Sequence, residues 1–231
     1  MYNDWQNLQK NINITFHDLS LLQQAFRHAS FVNEIQNPDI TDNERLEFLG
    51  DSVLNFIIAE KIYNDFSDLS EGELTVLRTL LIREDTLAKI AFDLNLGSYL
   101  QLGKGEESSG GRQRRTNLAD TFEALVGAIF LDQGIDAAKD FLGSMLYSHI
   151  EDFKTDGLGR NYKAKLQEFT QSEYKQLPNY HLLESSGPDH DKNFVVEVKL
   201  KDKVLGTGSG RSKKAAEMDA ARLACKTLSL I

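Results

Sequence analysis

Two pairs of acidic residues, far apart in the chain, have spacings that would let them share one site. Glu47 and Asp51 are four positions apart, and Asp120 and Glu123 are three apart. Either spacing places both side chains of a pair on one face of an α-helix. If the two faces meet, like charges about 4 Å apart repel by roughly 4 kcal/mol at a surface-like dielectric. The four carboxylates therefore predict a site for a cation that prefers oxygen ligands, namely Mg²⁺, Mn²⁺ or Ca²⁺.

The first pair belongs to a long predicted helix that runs from Glu44 to about Tyr63. Apolar residues, Phe48 and Phe56 among them, lie on nearly all sides of it, which predicts a buried helix. Carboxylates are rarely buried without a partner. No Lys or Arg has the spacing to pair with these acids. One polar line runs along the helix, and its members are Glu44, Glu47, Asp51 and Asn55.

The second pair belongs to a predicted helix with small residues that permit close approach to a neighbour. These residues are Ala119, Ala124, Gly127 and Ala128. Asn117 could cap this helix, which would place Asp120 at its third position as an ordinary capping-box acid. That alternative does not extend to Glu123, which follows among small and apolar side chains. The interpretation of Asp120 as a metal ligand therefore depends on its being grouped with the other three acids.

The eleven residues Glu44–Leu54 resemble the signature motif of the bacterial ribonuclease III family, and the segment around Asp120 and Glu123 resembles its second acidic motif. The resemblance implies a metal-dependent endonuclease of double-stranded RNA. It implies Mg²⁺ held by Glu47, Asp51, Asp120 and Glu123, with Mn²⁺ able to substitute, and Asp51 and Glu123 as catalytic residues. Glu44 is a secondary candidate, for RNA contact or for support of a subunit interface.

The same resemblance carries further expectations about the reaction and the assembly. It implies a homodimer with one site per subunit, each cutting one strand. The expected products have 5′-phosphates, 3′-hydroxyls and two-nucleotide 3′ overhangs. Expected substrates are structured precursors such as rRNA and mRNA, and no small-molecule substrate is expected. The apolar runs are too short to span a bilayer, and neither a signal peptide nor a disulfide is predicted, so the expected compartment is the cytoplasm.

The net charge of −9 is unevenly distributed along the chain. Residues 160–231 contain 13 Lys and Arg against 9 Asp and Glu, a net of +4, whereas residues 1–159 contain 13 against 26, a net of −13. Such asymmetry indicates two halves with different partners. The acidic half suits metal chemistry, and the basic half suits a polyanion.

The basic half has the predicted order α-β-β-β-α. A helix containing Tyr162 and Leu166 comes first, and a helix from Ser212 to about Leu228 closes the unit. The predicted strands are Tyr180–Ser185, Phe194–Leu200 and Val204–Gly208. Along the second strand, Val196 and Val198 are predicted to face inward and Glu197 outward.

This half resembles the double-stranded-RNA-binding domain, with a matching Gly187-Pro188-Asp189-His190 loop. The resemblance implies minor-groove contacts from helix residues and from His190, and phosphate contacts from two lysines. Glycines 206, 208 and 210 are interpreted as allowing close approach of a ligand. The predicted RNA-binding residues are Gln167, Glu168, Gln171, His190, Lys213 and Lys214.

The sequence thus predicts an all-α N-terminal endonuclease domain over residues 1–153 and a linker over 154–160. An α+β (α-β-β-β-α) double-stranded-RNA-binding domain is predicted over 161–231. Between Gly103 and Arg115 a polar, Gly-rich stretch predicts a mobile loop whose arginines either touch RNA or are solvated. His28 is interpreted as a residue that anchors a loop rather than as a catalytic group.

Two other functions remain open at this point. One is a dimeric double-stranded-RNA-binding protein with a catalytically silent nuclease-like domain. The intact carboxylates argue against it, because a silent domain would gain stability by replacing them. The other is a helical, Asp-rich metal enzyme acting on diphosphates, which leaves residues 160–231 unexplained.

Overall fold

The computed structural model describes residues 4–67, 69–153, 159–186 and 192–231. Backbone contacts divide the chain into two units, Met1–Ser67 with Arg78–Ser148 and Asp68–Leu77 with His149–Ile231. The predicted domain boundaries at residues 153 and 161 remain a prediction. Among the described residues, no helix is both long enough and apolar enough to cross a membrane.

The first part of the chain is entirely helical, as predicted. Short 3₁₀ turns at Leu96–Tyr99 and Gly111–Gln113 connect some of the helices. The long α8 contains a break at Gly134, whose φ of 84° is readily adopted only by glycine. The helices are α1 (Trp5–Asn11), α2 (Leu19–Ala25), α3 (Ala29–Ile35), α4 (Glu44–Asp65), α5 (Glu71–Ile82), α6 (Glu84–Asp93), α7 (Lys104–Ser108) and α8 (Arg115–Phe153).

The core of this helical part is built largely from α4 and α8. Their fully buried side chains include Leu54, Ile57, Ile58 and Phe122. The prediction that α4 is buried all round is wrong, however. Its aromatic residues Phe48 and Phe56 are 77% and 56% exposed, so one side of the helix carries an uncovered apolar surface.

The stretch from Gly103 to Arg115 is ordered, which corrects the prediction of a mobile loop. It forms α7 and a 3₁₀ turn. The Arg112 guanidinium donates hydrogen bonds to the carbonyl oxygens of Gly97 and Leu100, at 3.0 and 2.8 Å, and pairs with Glu107 at 2.6 Å. Arg115 pairs with Asp85 at 2.8 Å. Both arginines therefore bind other groups of the protein, although the Arg115 side chain is also exposed to solvent.

The C-terminal part has the predicted order α-β-β-β-α. The three strands form an antiparallel sheet in the order β1-β2-β3, with irregular register between Leu182 and Glu184 and between Val198 and Lys199. The elements are α9 (Gly159–Tyr174), β1 (Asn179–Ser186), β2 (Asn193–Leu200), β3 (Lys203–Gly210) and α10 (Lys213–Thr227).

The central strand β2 follows the predicted alternation only in part. Val196 and Val198 are buried in the core, as predicted. Glu197, predicted to face outward, is itself only 9% exposed. It lies on a strand with neighbours on both sides and forms an ion pair with Lys199, so the outer face of the sheet is partly covered by its own side chains.

The glycines of β3 have a packing role that the sequence interpretation missed. A Cβ at Gly206 would lie 2.6 Å from the backbone of Ala220 and Ala224, and a Cβ at Gly208 would also overlap the backbone of α10. These glycines therefore let α10 lie directly on the sheet. The prediction that they admit a ligand is replaced by close packing of helix on strand.

Candidate metal centre and nucleic-acid interface

The backbones of α4 and α8 meet at two glycines. A Cβ at Gly50 would overlap the carbonyl oxygen of Glu123, and a Cβ at Gly127 would overlap the carbonyl oxygen of Leu46. The second Cβ would also stand 3.1 Å from the amide nitrogen of Gly50. Gly127 was among the small residues predicted to permit this approach, whereas Gly50 was missed. An isolated glycine inside a helical pattern is the signal that could have found it.

This approach brings three of the four predicted acids together. Carboxylate oxygens of Glu47, Asp120 and Glu123 all lie within 4.8 Å of one another, and each of these residues is half-buried. Asp51 is exposed and lies outside this group of three. Its Oδ1 accepts a hydrogen bond from the side-chain amide of Asn55 at 2.8 Å.

Burial and the charges of neighbouring carboxylates raise the pKa of all three clustered acids. Burial, then the charges of Asp51, Glu47 and Asp120, raise the pKa of Glu123 to about 8. Burial and the charges of Asp120, Glu44 and Asp51 raise the pKa of Glu47. A site in which carboxylates repel one another in this way favours protons or a cation between them.

Asp120 is half-buried, and its carboxylate lies close to those of Glu123 on the same helix and Glu47 on α4. Burial raises the pKa of Asp120, Glu84 raises it further, and His28 lowers it. Glu84 begins α6 and was not anticipated from the sequence, because its proximity to Asp120 depends on how the helices pack.

The capping explanation of Asp120 is wrong. The helix α8 begins at Arg115, so Asn117 lies within it and does not cap it. The amide of Asn117 is used elsewhere, donating to Glu106 at 2.7 Å and to the carbonyl oxygen of Gly111 at 3.0 Å. Asp120 is therefore beyond the first turn and has no capping role.

The donor set fits a divalent cation. Neither the hydrogen bonds nor the ion pairs of the described residues provide a donor to the carboxylates of Glu47, Asp120 or Glu123. The three residues offer carboxylate oxygens as ligands, which is the ligand chemistry of Mg²⁺, Mn²⁺ or Ca²⁺.

Two other residues considered from the sequence, Glu44 and His28, lie at the starts of helices. Glu44, the first residue of α4, is exposed, and its backbone amide donates to Asp42 at 3.2 Å. His28 caps α3, where its Nδ1 accepts from the backbone amide of Ser30 at 3.1 Å, and its own amide donates to Gln101. This geometry agrees with the interpretation of His28 as an anchor.

The predicted RNA-binding residues that the structure describes are all exposed. Gln167, Glu168 and Gln171 lie on α9, and Lys213 and Lys214 form the first turn of α10. The start of α10 is capped by its own Ser212, which accepts from Ala215 at 3.1 Å. His190 lies outside the described residues, as does the whole Gly187–His190 loop.

Comparison with known proteins identifies both parts of the chain. A family model described as Ribonuclease-III-like matches residues 18–150, and one described as Double-stranded RNA binding motif matches residues 162–228. The chain is 46% identical over 219 residues to Ribonuclease 3 of Dehalococcoides mccartyi, strain 195, covering 95% of this chain and 92% of the relative. It is 47% identical over 223 residues to Ribonuclease 3 of Roseiflexus sp. strain RS-1, with 96% and 94% covered.

A solved structure supports the same assignment. The crystal structure of the nuclease domain of ribonuclease III from Campylobacter jejuni superimposes with a TM-score of 0.59 at 35% identity. The match covers 64% of this chain and 97% of that one. The chain therefore belongs to the ribonuclease III family of double-stranded-RNA endoribonucleases.

Proposed function

We propose that this ribonuclease III hydrolyses phosphodiester bonds of double-stranded RNA with the help of Mg²⁺, for which Mn²⁺ can substitute. In this proposal Glu47, Asp51, Asp120 and Glu123 hold the ion, and Asp51 and Glu123 are the catalytic residues. The observation that carries the proposal is the convergence of three carboxylates from two helices within 4.8 Å. No Lys or Arg of the described chain pairs with them, so a cation is the partner that their charge demands.

The chemistry follows from this arrangement. When bound, the ion supplies Lewis-acid stabilisation of charge on the phosphodiester and makes a coordinated water more acidic. The acids contribute the negative field that favours a divalent ion, and this field adds to burial in raising the pKa of Glu123. Family membership supports the same reaction. Nothing observed favours the alternative of a silent domain.

The test is cleavage of an end-labelled RNA duplex by the purified protein, with Mg²⁺ or with EDTA. We expect cleavage only with metal, and we expect the single strand of the same sequence to survive. Product ends are read by sensitivity to a 5′-phosphate-dependent exonuclease and by sizing of both strands. Those measurements check the expected 5′-phosphates, 3′-hydroxyls and two-nucleotide 3′ overhangs. Binding of the duplex without cleavage in Mg²⁺ would contradict the proposal and restore the silent alternative.

The double-stranded RNA binding motif supplies the proposed duplex interface. In this proposal Gln167, Glu168 and Gln171 contact one minor groove and His190 contacts the next. Lys213 and Lys214 contact the phosphates between them. Their exposure on α9 and at the start of α10 supports these roles. Such domains read the shape of A-form RNA and its 2′-hydroxyls, with little sequence preference.

The lysine assignment has a specific test. Replacing both Lys213 and Lys214 with Ala should weaken binding about equally for unrelated duplexes. The slope of log affinity against log salt should flatten by roughly one unit for each phosphate that the variant no longer neutralises. Lys201→Ala with Lys203→Ala, at the turn between β2 and β3, is the matched control for removal of two charges. A double Lys213/Lys214 variant with the wild-type slope would remove both lysines from the interface.

A homodimer is the proposed assembly, with one catalytic site per subunit and Glu44 in a supporting role at the interface or on RNA. The exposed Phe48 and Phe56 on α4 form an apolar surface of the kind that marks protein contacts. A second Campylobacter jejuni nuclease-domain structure, 36% identical with a TM-score of 0.58, is described as having flexibility in a region involved in dimer formation. Sedimentation equilibrium of the wild type and of Phe48→Ser tests this assembly.

We further propose structured rRNA and mRNA precursors as substrates and the cytoplasm as the compartment.

A further inference from the structure

Within the part of the chain that the structure describes, Asp51 is the one of the four acids whose carboxylate has a hydrogen-bond donor. The side-chain nitrogen of Asn55 lies 2.8 Å from Asp51 Oδ1 and 3.0 Å from the main-chain oxygen of Asp51. The spacing of four residues on α4 places the two side chains one helical turn apart on the same face. Asn55 is therefore the neighbour that holds Asp51.

The chemistry of these contacts fixes the orientation of the Asn55 amide. Both partners of its nitrogen, a carboxylate oxygen and a carbonyl oxygen, can only accept hydrogen bonds. The –NH₂ group must therefore face them, because the reversed amide would bring oxygen against oxygen. One hydrogen of the –NH₂ group serves each acceptor. The amide is thus held by the helix backbone through one hydrogen bond while it holds Asp51 through the other.

This arrangement occupies one oxygen of Asp51 and leaves the second oxygen of the carboxylate available. Asp51 is exposed, so without a partner its side chain would sample several rotamers. Groups that hydrogen-bond to metal ligands orient them, and their removal typically lowers metal affinity by about 10- to 100-fold. The –NH₂ group also brings partial positive charge beside a carboxylate whose charge acts on both Glu47 and Glu123.

We propose that Asn55 is a positioning residue of the metal centre, which orients Asp51 so that this acid joins Glu47, Asp120 and Glu123 in holding the divalent ion. It does not itself touch metal or RNA. The inference depends on the proposed metal function of the four acids. It adds a fifth residue, with a different role, to the set predicted from the sequence.

The test is calorimetric titration of Mn²⁺ into the RNA-free, full-length protein. Asn55→Leu keeps the approximate size of the side chain and removes the donor, and we expect it to weaken Mn²⁺ binding by about tenfold. Asn55→Gln retains an amide that can reach a carboxylate four residues away, and we expect it to recover most of the affinity. Ser52→Ala is the control on the same helix, because the Ser52 hydroxyl bonds to the carbonyl oxygen of Phe48 and not to Asp51.

A second measurement separates positioning from a purely structural role. The Mg²⁺ concentration for half-maximal cleavage should rise in Asn55→Leu, whereas the rate at saturating Mg²⁺ should stay near that of the wild type. The melting temperature in EDTA should change little, because the bond to Asp51 is exposed. Equal Mn²⁺ affinity of Asn55→Leu and wild type, or failure of Asn55→Gln to recover affinity, would overturn the role of Asn55 alone. A wild-type protein that binds no Mn²⁺ would overturn both this inference and the proposed metal site.

Discussion

Two groups of carboxylates in the helical part of the molecule have pKa values shifted in opposite directions. In the cluster between α4 and α8, burial and the charges of neighbouring carboxylates raise the pKa of Glu47, Asp120 and Glu123. In the other group, burial alone would raise the pKa of Asp132, but backbone hydrogen bonds from Asp18 and His17 and the amide of Gln133 together lower it. Hydrogen bonds from Asn117 and Arg114 likewise lower the pKa of Glu106, against the effect of burial.

Burial is not what separates the two groups. The Asp132 side chain is only 2% exposed, and that of Glu106 is 15% exposed, yet both are stabilised as anions. Two backbone amides stand 2.8 Å from the oxygens of Asp132. The clustered acids have no such donors in the described chain. An acid with a structural role is therefore recognised by the hydrogen-bond donors around its carboxylate. A candidate metal-binding acid is recognised by the absence of such donors.

The largest expected effect comes from moving the two helices of the cluster apart. Gly50→Ala places a methyl group against the carbonyl of Glu123, so α4 and α8 must separate. We expect a loss of about 3 kcal/mol or more in the free energy of unfolding, and loss of cleavage as the acids diverge. Thermal melting and duplex cleavage measure the two effects. Gly105→Ala, which has no atom within 4 Å of the new Cβ, is the control, and equal melting temperatures for both variants would contradict the packing argument.

The next prediction makes the same chemical change in each group of acids. Glu123→Gln removes a charge from the proposed metal site and should lower the cleavage rate by more than about 100-fold, the upper range for groups that only support a ligand. Duplex binding should remain close to that of the wild type. The rate is measured in single turnover with enzyme in excess across a Mg²⁺ titration. Wild-type cleavage by this variant would remove Glu123 from the site.

Asp132→Asn is the counterpart in the structural group. Its amide can accept through one oxygen only, so at least one backbone N–H at residues 17 and 18 loses its partner. We expect a loss of about 1–2 kcal/mol in unfolding free energy, with the cleavage rate unchanged at temperatures where the variant is folded. Denaturant unfolding and single-turnover cleavage test this prediction. A stable but inactive Asp132→Asn would break the division between the two groups.

The last prediction concerns the pH dependence of stability without metal. The pKa of Glu123 is raised from 4.5 to about 8 in the folded protein. Its favourable contribution is therefore fully present below pH 4.5 and is lost as the pH rises through about 8. Asp132, whose pKa is lowered, contributes in the opposite sense and loses its contribution as the pH falls.

Melting temperatures in EDTA across this range isolate the effect of Glu123 by difference. Wild type should lose stability relative to Glu123→Gln as the pH rises from about 5 toward 8, because the amide cannot ionise. Added Mn²⁺ should reverse the difference, since it binds the folded acids of the wild type. Parallel curves for the two proteins without metal would show that Glu123 ionises normally.

Local sequence patterns were sufficient to predict the helices and strands and which of their side chains share a face. The strand pattern of residues 180–208 and the flanking helices predicted α-β-β-β-α, which the structure confirms. Sequence patterns gave wrong predictions where a side chain hydrogen-bonds to residues elsewhere in the chain. Arg112 orders a stretch predicted to be mobile because it meets carbonyl oxygens at Gly97 and Leu100. Asn117 lies inside α8 rather than capping it, because the helix begins at Arg115, and its amide donates to Glu106 and Gly111.

Helix geometry alone determines that Glu47 and Asp51 share one helix face and that Asp120 and Glu123 share another. The helical period of 3.6 residues fixes the directions of side chains around a single helix axis. The distance between two axes is a different quantity, which depends on the atoms that lie between them. At Gly50 and Gly127 there is no Cβ to keep the backbones apart, and this absence brings three acids within 4.8 Å. Only the packed structure therefore decides which carboxylates come within that distance, and that Asp51 lies outside this group of three, held by Asn55.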